Sequence, residues 1–382
     1  MKVAIATHFP VDPLKPKGGV EAVSVNLVKG LAQLSDLDID VVTLDTTIDK
    51  NVISGWDKVV IHRLAARPGS VVLNACGNWK QTLQNYLEGI NPELVHAHDT
   101  YGIMTNGLEI PKVFTIHGFI YSDTLLSNTK FAWLRSKVWR FIETRTWANQ
   151  PHIISISPYV RERLAGIANG VIHDIENPVA EEFFNIRRAE RKGTIFSAAV
   201  ISPRKNTLAL VKAFGQIAAE FPWASLRLAG TIVDPEYGSL IEREIQETGL
   251  TNRVYLLGNL GTSQIHDELS AASIFALVSL EENSPMGIEE AMAVGIPVLT
   301  SNRCGMPYMV QHGISGYLVD PEHADKISAR LRKLLSDGTL RDSMGSIGRK
   351  IALYRFHPAI VAKKTHQVYL EVMHDEKYDQ RS

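Results

Sequence analysis

The chain contains 382 residues, of which 45% are hydrophobic and 21% are charged. These fractions lie near the averages of soluble globular proteins and exclude a disordered, collagen-like or small disulfide-stapled chain. Lys and Arg number 40 against 41 Asp and Glu, so the formal net charge is -1. A balanced charge gives no overall attraction to nucleic acid, and we expect no nucleic-acid partner. The length corresponds to two or three domains.

No targeting or membrane-spanning segment is predicted. The chain begins with a short apolar stretch, Val3–Ala6, which is too short for the apolar region of a signal peptide. No stretch approaches the roughly 20 apolar residues that cross a bilayer. The two cysteines, Cys76 and Cys304, are too few for a disulfide framework. We therefore expect a cytoplasmic protein.

Short β-branched runs alternate with amphipathic stretches along the chain. Their continuous apolar character is typical of strands buried on both faces of a parallel sheet. The predicted strands of the first half are Lys2–Thr7, Ile39–Leu44, Val59–His62, Leu94–His98 and Val113–His117. Those of the second half are Thr194–Val200, Ser225–Ala229, Val254–Leu257, Ile274–Val278 and Pro297–Thr300. This α/β pattern predicts two doubly wound, Rossmann-like domains.

The link between the two domains is predicted near Asn177-Pro178. Asn-Pro favours an extended or turn conformation, and the stretch that follows, Asn185–Gly193, is charged and poor in apolar residues. We therefore assign residues 1–180 to the first domain and 181–355 to the second. The tail, residues 356–382, is helical by its pattern and long enough to return to the first domain.

The strongest local signal begins at Glu282. Ser284 followed by Pro285 is typical of an N-cap and a first helical position, and Gly295 is typical of a left-handed residue after a helix. This places Glu282 on the preceding loop and Glu290 inside the helix. The helix start would offer free amides to an anion, and the carboxylates suit sugar hydroxyls. The alternative is a well-capped helix whose glutamates face water.

Glu282, Glu290 and the following Ala-Met-Ala-x-Gly-x-Pro-Val resemble the signature of the retaining GT-B glycosyltransferases, the glycosyltransferase group 1 family related to glycogen synthase. Further motifs follow the family's order along nearly the whole chain: Gly18–Glu21, Leu94–Asp99, Thr115–Gly118, Ser155–Ser157, Asn177–Val179, Ser315–Pro321 and Arg355–Tyr369. The resemblance implies a GT-B fold with two domains facing a central cleft. It also implies metal-independent transfer of a hexose-type sugar from a UDP or GDP sugar to a carbohydrate or lipid-linked acceptor, without a cofactor.

The resemblance also implies roles for individual residues. It marks His117 and Glu282 as catalytic residues, with Glu282 beside the donor sugar, and Glu290 as the ligand of the ribose. The donor-binding residues that it implies are Gly18, Gly19, Arg204, Lys205, Leu260, Ser284, Pro285, Met286, Gly287 and Glu290. The histidines His96 and His98 have the spacing of metal ligands, but no third ligand is evident, and we interpret them as strand-end residues.

Two positions depart from the family pattern. Lys205 corresponds to the diphosphate-binding lysine, but Val200 stands where the family usually has an arginine, and Arg204 is the candidate to supply that charge. Ser284-Pro285 replaces the usual Phe-Gly, and proline has no amide hydrogen. The first departure leaves open a non-catalytic sugar-nucleotide-binding protein. A GT-B-fold sugar-nucleotide epimerase, which needs no acceptor, is the remaining alternative.

Residues 130–147 form a basic, tryptophan-rich helical stretch. Its cations and tryptophans are Lys130, Arg135, Lys137, Arg140, Arg145, Trp133, Trp139 and Trp147, against the single acid Glu143. Such a composition is typical of an interfacial helix on anionic lipid, which would suit a lipid-linked acceptor. A stripe that would face the core of an ordinary helix is formed by Phe131, Leu134, Val138, Phe141 and Ile142. Peripheral membrane contact and core packing therefore remain the alternatives.

Overall fold

The computed structural model describes residues 1–126 and 130–379 and divides the chain into two compact units. The first unit comprises Met1–Pro178 together with the chain from Pro358 onward. The second unit is the continuous stretch Val179–His357. Each division lies two residues from the boundary that the sequence suggests, next to Pro178 and Pro358.

The first unit is built on an eight-stranded sheet. Its strands are β1 (Lys2–Ala6), β2 (Asp38–Asp45), β3 (Val52–Trp56), β4 (Val59–Ala65), β5 (Leu94–His98), β6 (Lys112–Ile116), β7 (His152–Ser155) and β8 (Val171–Asp174). Their order is β3-β4-β2-β1-β5-β6-β7-β8, and every neighbouring pair is parallel except the β3–β4 hairpin. Its helices before the link are α1 (Gly19–Leu31), α2 (Val71–Cys76), α3 (Asn78–Ile90), α4 (Thr100–Met104), α5 (Ile120–Leu126), α6 (Ala132–Ala148) and α7 (Pro158–Leu164).

The second unit contains a six-stranded, wholly parallel sheet. Its strands are β9 (Thr194–Ala198), β10 (Ser225–Ala229), β11 (Val254–Gly258), β12 (Ile274–Leu277), β13 (Val298–Ser301) and β14 (Gly316–Val319), in the order β11-β10-β9-β12-β13-β14. Its helices are α8 (Glu181–Asn185), α9 (Thr207–Gly215), α10 (Pro235–Glu247), α11 (Thr262–Ala271), α12 (Met286–Val294), α13 (Ala324–Ser336) and α14 (Gly338–Arg355). Helices alternate with these strands, and the unit buries two apolar clusters.

The prediction of two Rossmann-like units is confirmed. All ten strands that the apolar runs predicted are present, with ends that differ by at most three residues. The apolar runs did not include β3, β7, β8 or β14, although β14 lies within the Ser315–Pro321 motif. Strand β3 is mostly exposed at the sheet edge, and β8 has no fully buried residue, so neither forms a buried apolar run. Strand β7 is buried, but only its two central residues are apolar.

The last helix, α15 (Pro358–Asp379), packs on α1 and β6 of the first unit. Val361 and Val368 join the same apolar cluster as β1 and α1. Tyr369 is fully buried, and its hydroxyl lies 2.7 Å from Nδ1 of His96 on β5. The helix predicted from residue 356 therefore begins two residues later, and residues 380–382 lie outside the described part of the chain.

The apolar stripe of α6 faces outward, so the prediction that it packs in the core is wrong. The stripe is outside: Phe131 is 68% exposed, Leu134 48%, Val138 42% and Phe141 65%, while Ile142 is partly exposed. The buried residues of α6 are Ser136, Trp139, Glu143, Thr146 and Trp147. The polar side chains face inward because they bind backbone. Glu143 accepts hydrogen bonds from the amides of Ile120 and Tyr121, at 2.9 and 2.8 Å.

Helices α12 and α14 approach each other so closely that Gly345 has no room for a side chain. A Cβ on Gly345 would lie 2.1 Å from the carbonyl oxygen of Gly295, which ends α12 in the predicted left-handed conformation (φ +86°). A backbone oxygen cannot move aside as a flexible side chain can. We therefore expect Gly345→Ala to lower the free energy of unfolding by about 1–3 kcal/mol, measured by urea denaturation.

The matched control is Gly215→Ala, at the end of α9 in the same unit. There the nearest atom to a Cβ is Cδ1 of Leu250, at 3.5 Å, which is ordinary contact. This variant should be neutral or slightly more stable, because alanine favours helix over glycine. An unchanged stability of Gly345→Ala would contradict the close packing of α12 and α14.

Candidate functional site

Two loops of the second unit meet where the neighbouring strands β9 and β12 end. After β9 the chain passes Val200 and forms a 3-10 turn, Pro203–Lys205, and after β12 it reaches Glu282. The amide of Leu280 donates to the carbonyl oxygen of Arg204 at 2.8 Å and joins the two loops. Ligands of open parallel sheets bind at this carboxyl edge, so the loops form a candidate site.

The carboxylate of Glu282 lies between the side chains of Arg204 and Lys205. Its Oε1 accepts a hydrogen bond from Nζ of Lys205, and Nη1 of Arg204 lies 3.3 Å from its Oε2. Nη1 of Arg204 also donates to the carbonyl oxygen of Glu281 at 2.8 Å. Glu282 is only 9% exposed. Two cations thus converge on one buried carboxylate, and the group keeps one net positive charge.

A close backbone contact holds the loop that carries Glu282. The amide of Gly305 donates to the carbonyl oxygen of Glu282 at 2.8 Å. A Cβ on Gly305 would lie 1.7 Å from the carbonyl oxygen of Asn283, so only glycine fits. The sequence analysis missed Gly305, because the contact joins segments that are distant in the chain.

Asn206 holds the loop that carries Lys205. It is left-handed (φ +56°), and its side-chain amide donates to the carbonyl oxygens of Val278 at 3.2 Å and Pro321 at 2.7 Å. The sequence analysis missed this residue as well. In the sequence, Asn206 stands directly before a helix and would be interpreted as an N-cap. In the structure its side chain instead connects its own loop to the loops of Val278 and Pro321.

Helix α12 begins without the N-cap that the sequence predicted. Ser284 is not the cap, because its hydroxyl donates to Oε1 of Glu289 at 2.6 Å. Pro285 takes the cap position, and no side chain in the described residues caps the first turn. Glu289, a fully buried residue that the sequence analysis did not single out, therefore draws the serine away from the first amides, those of Met286 and Gly287. Uncapped amides at a helix start favour an anion.

Glu290 lies inside α12, as predicted, and is partly exposed. Removal of its carboxyl from water raises its pKa to about 8. Three residues earlier, in the first turn of the same helix, a Cβ on Gly287 would lie 3.0 Å from the ring of Phe275 and 3.2 Å from the carbonyl oxygen of Ala198. The first turn of α12 is thus packed tightly onto β9 and β12. Leu260, on the loop between β11 and α11, packs against the same apolar cluster as Phe275.

The remaining predicted residues lie in the first unit. Helix α1 begins at Gly19, after an extended Gly18. No atom of the described residues lies within 4 Å of a Cβ built on Gly18, so the packing of the unit does not itself require glycine there. The amide of Lys17 donates to the carboxylate of Glu21 at 2.7 Å and fixes the loop in front of the helix.

His117 directly follows β6 and belongs to a connected group of side chains. Its Nε2 lies 3.1 Å from Nδ1 of His98, and its backbone amide donates to Oδ1 of Asp99 at 2.9 Å. Burial lowers the pKa of His117, while Asp99 and a hydrogen bond with Asn177 oppose that shift. The imidazole is therefore neutral near pH 7. The sequence analysis did not predict the contribution of His98, Asp99 or Asn177 to the environment of His117.

The two other histidines of β5 are buried strand residues. His96 contacts the hydroxyls of Tyr369 and Thr115, each at 2.7 Å. Burial lowers the pKa of His96 to about 3 and that of His98 well below its usual value. Within the described ranges, no three His, Cys, Asp or Glu side chains are grouped to hold a metal ion.

Each of the two units matches a family model. Residues 17–183 match the model of Glycosyltransferase Family 4, and residues 179–351 match the model of Glycosyl transferases group 1. Both units match glycosyltransferase families.

Several curated relatives of this chain are named as glycosyltransferases. An uncharacterised glycosyltransferase of Methanocaldococcus jannaschii is 24% identical over 88% of this chain and 90% of its own length. The GDP-mannose-dependent alpha-(1-6)-phosphatidylinositol monomannoside mannosyltransferase of Mycobacterium tuberculosis is 25% identical over 57% of this chain and 61% of its own length.

Solved structures share the GT-B fold. Sucrose-phosphate synthase of Thermosynechococcus elongatus superposes with a TM-score of 0.81 at 19% identity, covering 98% of this chain and 99% of the other. Anabaena HepE, solved with UDP and glucose, gives 0.72 at 18% identity, covering 97% and 99%. The predicted fold class is thus confirmed. In the described parts of the chain, no helix has the length and apolar character needed to span a bilayer.

The pKa of Glu290 makes the stability of the second unit depend on pH. The folded state keeps this proton up to about pH 8, whereas the unfolded state releases it near pH 4.5. The free energy of unfolding therefore falls as the pH rises between these values. We expect Glu290→Gln to remove that loss and to be more stable than the wild type by several kcal/mol at about pH 8.5, with little difference at about pH 4.

Urea denaturation across this pH range measures the difference between variant and wild type. Glu236→Gln, on the exposed start of α10, is the control and should leave the pH profile unchanged. Parallel profiles for Glu290→Gln and the wild type would show that Glu290 titrates normally.

Proposed function

We propose that the chain is a retaining, metal-independent glycosyltransferase. It would move a hexose-type sugar from a UDP or GDP sugar to a carbohydrate or lipid-linked acceptor in the cytoplasm, in glycan biosynthesis. The observation that carries this proposal is the meeting of Arg204, Lys205 and Glu282 beside the uncapped start of α12. The group 1 match of the same unit supports it, and so do the names of relatives with nucleotide-sugar donors.

The proposed role of the cationic pair is to bind the diphosphate. Negative charge on the leaving diphosphate grows as the glycosidic bond breaks, and preorganised cations and amides stabilise it. Lys205 and Arg204 would supply the cations, and Met286 and Gly287 the first amides of α12. Arg204 takes over the charge that Val200 lacks, and its contact with Glu281 shows that the guanidinium is held at this edge. Binding of phosphate would release Glu282 from its cations towards the hydroxyls of the donor sugar.

Glu290 and Leu260 would bind the nucleoside. A ribose hydroxyl can donate to the carboxylate of Glu290, and this hydrogen bond would favour the ionised form and lower its raised pKa. Leu260 would contribute apolar surface beside the base. Ser284 and Pro285 shape the loop between the sugar and the nucleotide, with the serine held by Glu289.

The first unit would supply His117 and the glycine loop. A neutral imidazole can donate one hydrogen bond and accept another, which suits sugar hydroxyls. Gly18 and Gly19 would let the backbone approach the donor phosphates. In the proposed reaction the bond from the anomeric carbon to phosphate oxygen breaks, the acceptor oxygen bonds to that carbon on the same face, and the leaving phosphate takes the acceptor's proton.

Incubation with radiolabelled UDP and GDP sugars and a panel of oligosaccharide and lipid-linked acceptors tests the proposal. We expect transfer from one of these donors, with an anomeric configuration retained in the product by NMR. Absence of both transfer and nucleotide release across the panel would contradict it. UDP or GDP binding by calorimetry without turnover would favour the non-catalytic alternative. A new sugar nucleotide formed without acceptor would favour the epimerase.

Two substitutions separate the proposed roles within the ion-paired group. Lys205→Ala removes a phosphate ligand, and we expect UDP or GDP to bind about tenfold more weakly, since a charge-assisted hydrogen bond is lost. Glu282→Gln removes the counter-charge of both cations, so nucleotide affinity should hold or rise while transfer falls by about 100-fold. Calorimetry and the transfer assay measure the two effects.

Lys212→Ala is the matched control on α9. The side chain of Lys212 is half-exposed, and its Nζ lies 4.0 Å from the carboxylate of Glu244 on α10, which is not part of the candidate site. Neither nucleotide affinity nor transfer should therefore change. An equal loss of nucleotide affinity in Glu282→Gln and Lys205→Ala would contradict the division of roles between phosphate and sugar.

A further inference from the structure

The outward surface of α6 combines exposed apolar side chains with cations, and we call it the α6 face. Its apolar members are Phe131, Trp133, Leu134, Val138 and Phe141, all at least 42% exposed. Its cations are Lys130, Arg135, Lys137, Arg140 and Arg145, all exposed. Residues 134, 138 and 141 follow the three-and-four spacing of one helix stripe, opposite the buried residues, and Phe131 lies directly before the helix.

The inward hydrogen bonds fix this orientation. Glu143 accepts from the amides of Ile120 and Tyr121, and the hydroxyl of Ser136 donates to the carbonyl oxygen of Tyr121 at 2.7 Å. If the apolar stripe faced inward, Glu143 and Ser136 would lose these hydrogen bonds. The backbone amides of Ile120 and Tyr121 would then lack these acceptors, which is unfavourable for buried groups. The exposed stripe is therefore a stable feature of the folded unit.

Charge decides which partner fits the α6 face. Between residues 130 and 145 the only acidic residue is Glu143, and it is 3% exposed and faces inward. Two copies of the face would bring together two sets of cations, so self-association through it is unfavourable. Trp133 lies beside Lys137, with its ring centroid 5.0 Å from Nζ, an aromatic–cation pair suited to a boundary between apolar and charged layers.

We propose that the α6 face docks on the surface of an anionic lipid bilayer. The apolar stripe enters the boundary between headgroups and acyl chains, and the flanking cations meet lipid phosphates. The proposal deepens the proposed function, because it assigns the acceptor to the lipid-linked class. Helix α5 begins three residues after His117, and α6 packs on α5 in the same unit.

Vesicle flotation with the full chain tests this docking. We expect the wild type to float with phosphatidylcholine vesicles that contain phosphatidylglycerol and not with phosphatidylcholine alone. Lys137→Gln with Arg145→Gln should weaken partitioning about fivefold for each cation removed. Leu134→Ser with Phe141→Ser should abolish flotation. Quenching of tryptophan fluorescence by lipids brominated in the acyl chains should occur in the wild type and drop in Trp133→Phe.

Matched controls lie elsewhere in the same unit. Lys50→Gln with Lys58→Gln removes two exposed cations near β3, and Ile53→Ser removes an apolar side chain that is 62% exposed on that edge strand. Both controls should float like the wild type, and all variants should keep the wild-type circular dichroism and thermal unfolding.

The outcomes separate this proposal from the proposed function. Nucleotide binding is measured on the same samples by calorimetry. If the wild type binds UDP or GDP but does not float with the vesicles, the membrane proposal is overturned and the proposed function stands. Equal flotation of the α6 variants and the controls would also overturn it, as would a dimer that the α6 substitutions dissociate. Flotation without nucleotide binding would leave docking in place and remove the proposed function.

Discussion

Burial of the central strands on both faces constrains where chemistry can occur in this chain. Strands β5, β12 and β13 have every residue buried, so a polar side chain within them needs an internal partner. His96 meets that need with two hydroxyls, one of which comes from Tyr369. Polar groups that are open to a ligand are therefore expected beyond the strand ends, where the candidate residues His117, Lys205 and Glu282 lie.

The sequence predicted the sheets well because their central strands are simple in composition. Continuous apolar runs located β1, β5, β10 and β12 within one or two residues. The edge strand β3 could not be found in the same way, because its register is set by pairing with β4 and it faces water. The orientation of α6 also escaped prediction, because its apolar stripe looks identical whether it faces a core or the solvent. Glu143 faces inward because it accepts hydrogen bonds from the backbone amides at the start of α5, and the sequence does not reveal this contact.

Within the candidate site, positions along the chain were predictable and contacts were not. Glu282 on the loop and Glu290 in the helix follow from the spacing of Ser284, Pro285 and Gly295. The actual bond of Ser284 goes to Glu289, since a buried carboxylate competes with the helix amides for the hydroxyl. The pairing of Arg204 and Lys205 with Glu282 joins loops almost 80 residues apart, and no local pattern encodes that distance.

The return of α15 to the first unit also orders the folding of the chain during synthesis. The core of the first unit includes Val361, Val368 and Tyr369, so it stays incomplete until the ribosome has released the last helix. The second unit is continuous and contains all its core residues before that point. The first unit can therefore complete its apolar core only after the whole of the second unit has been synthesised.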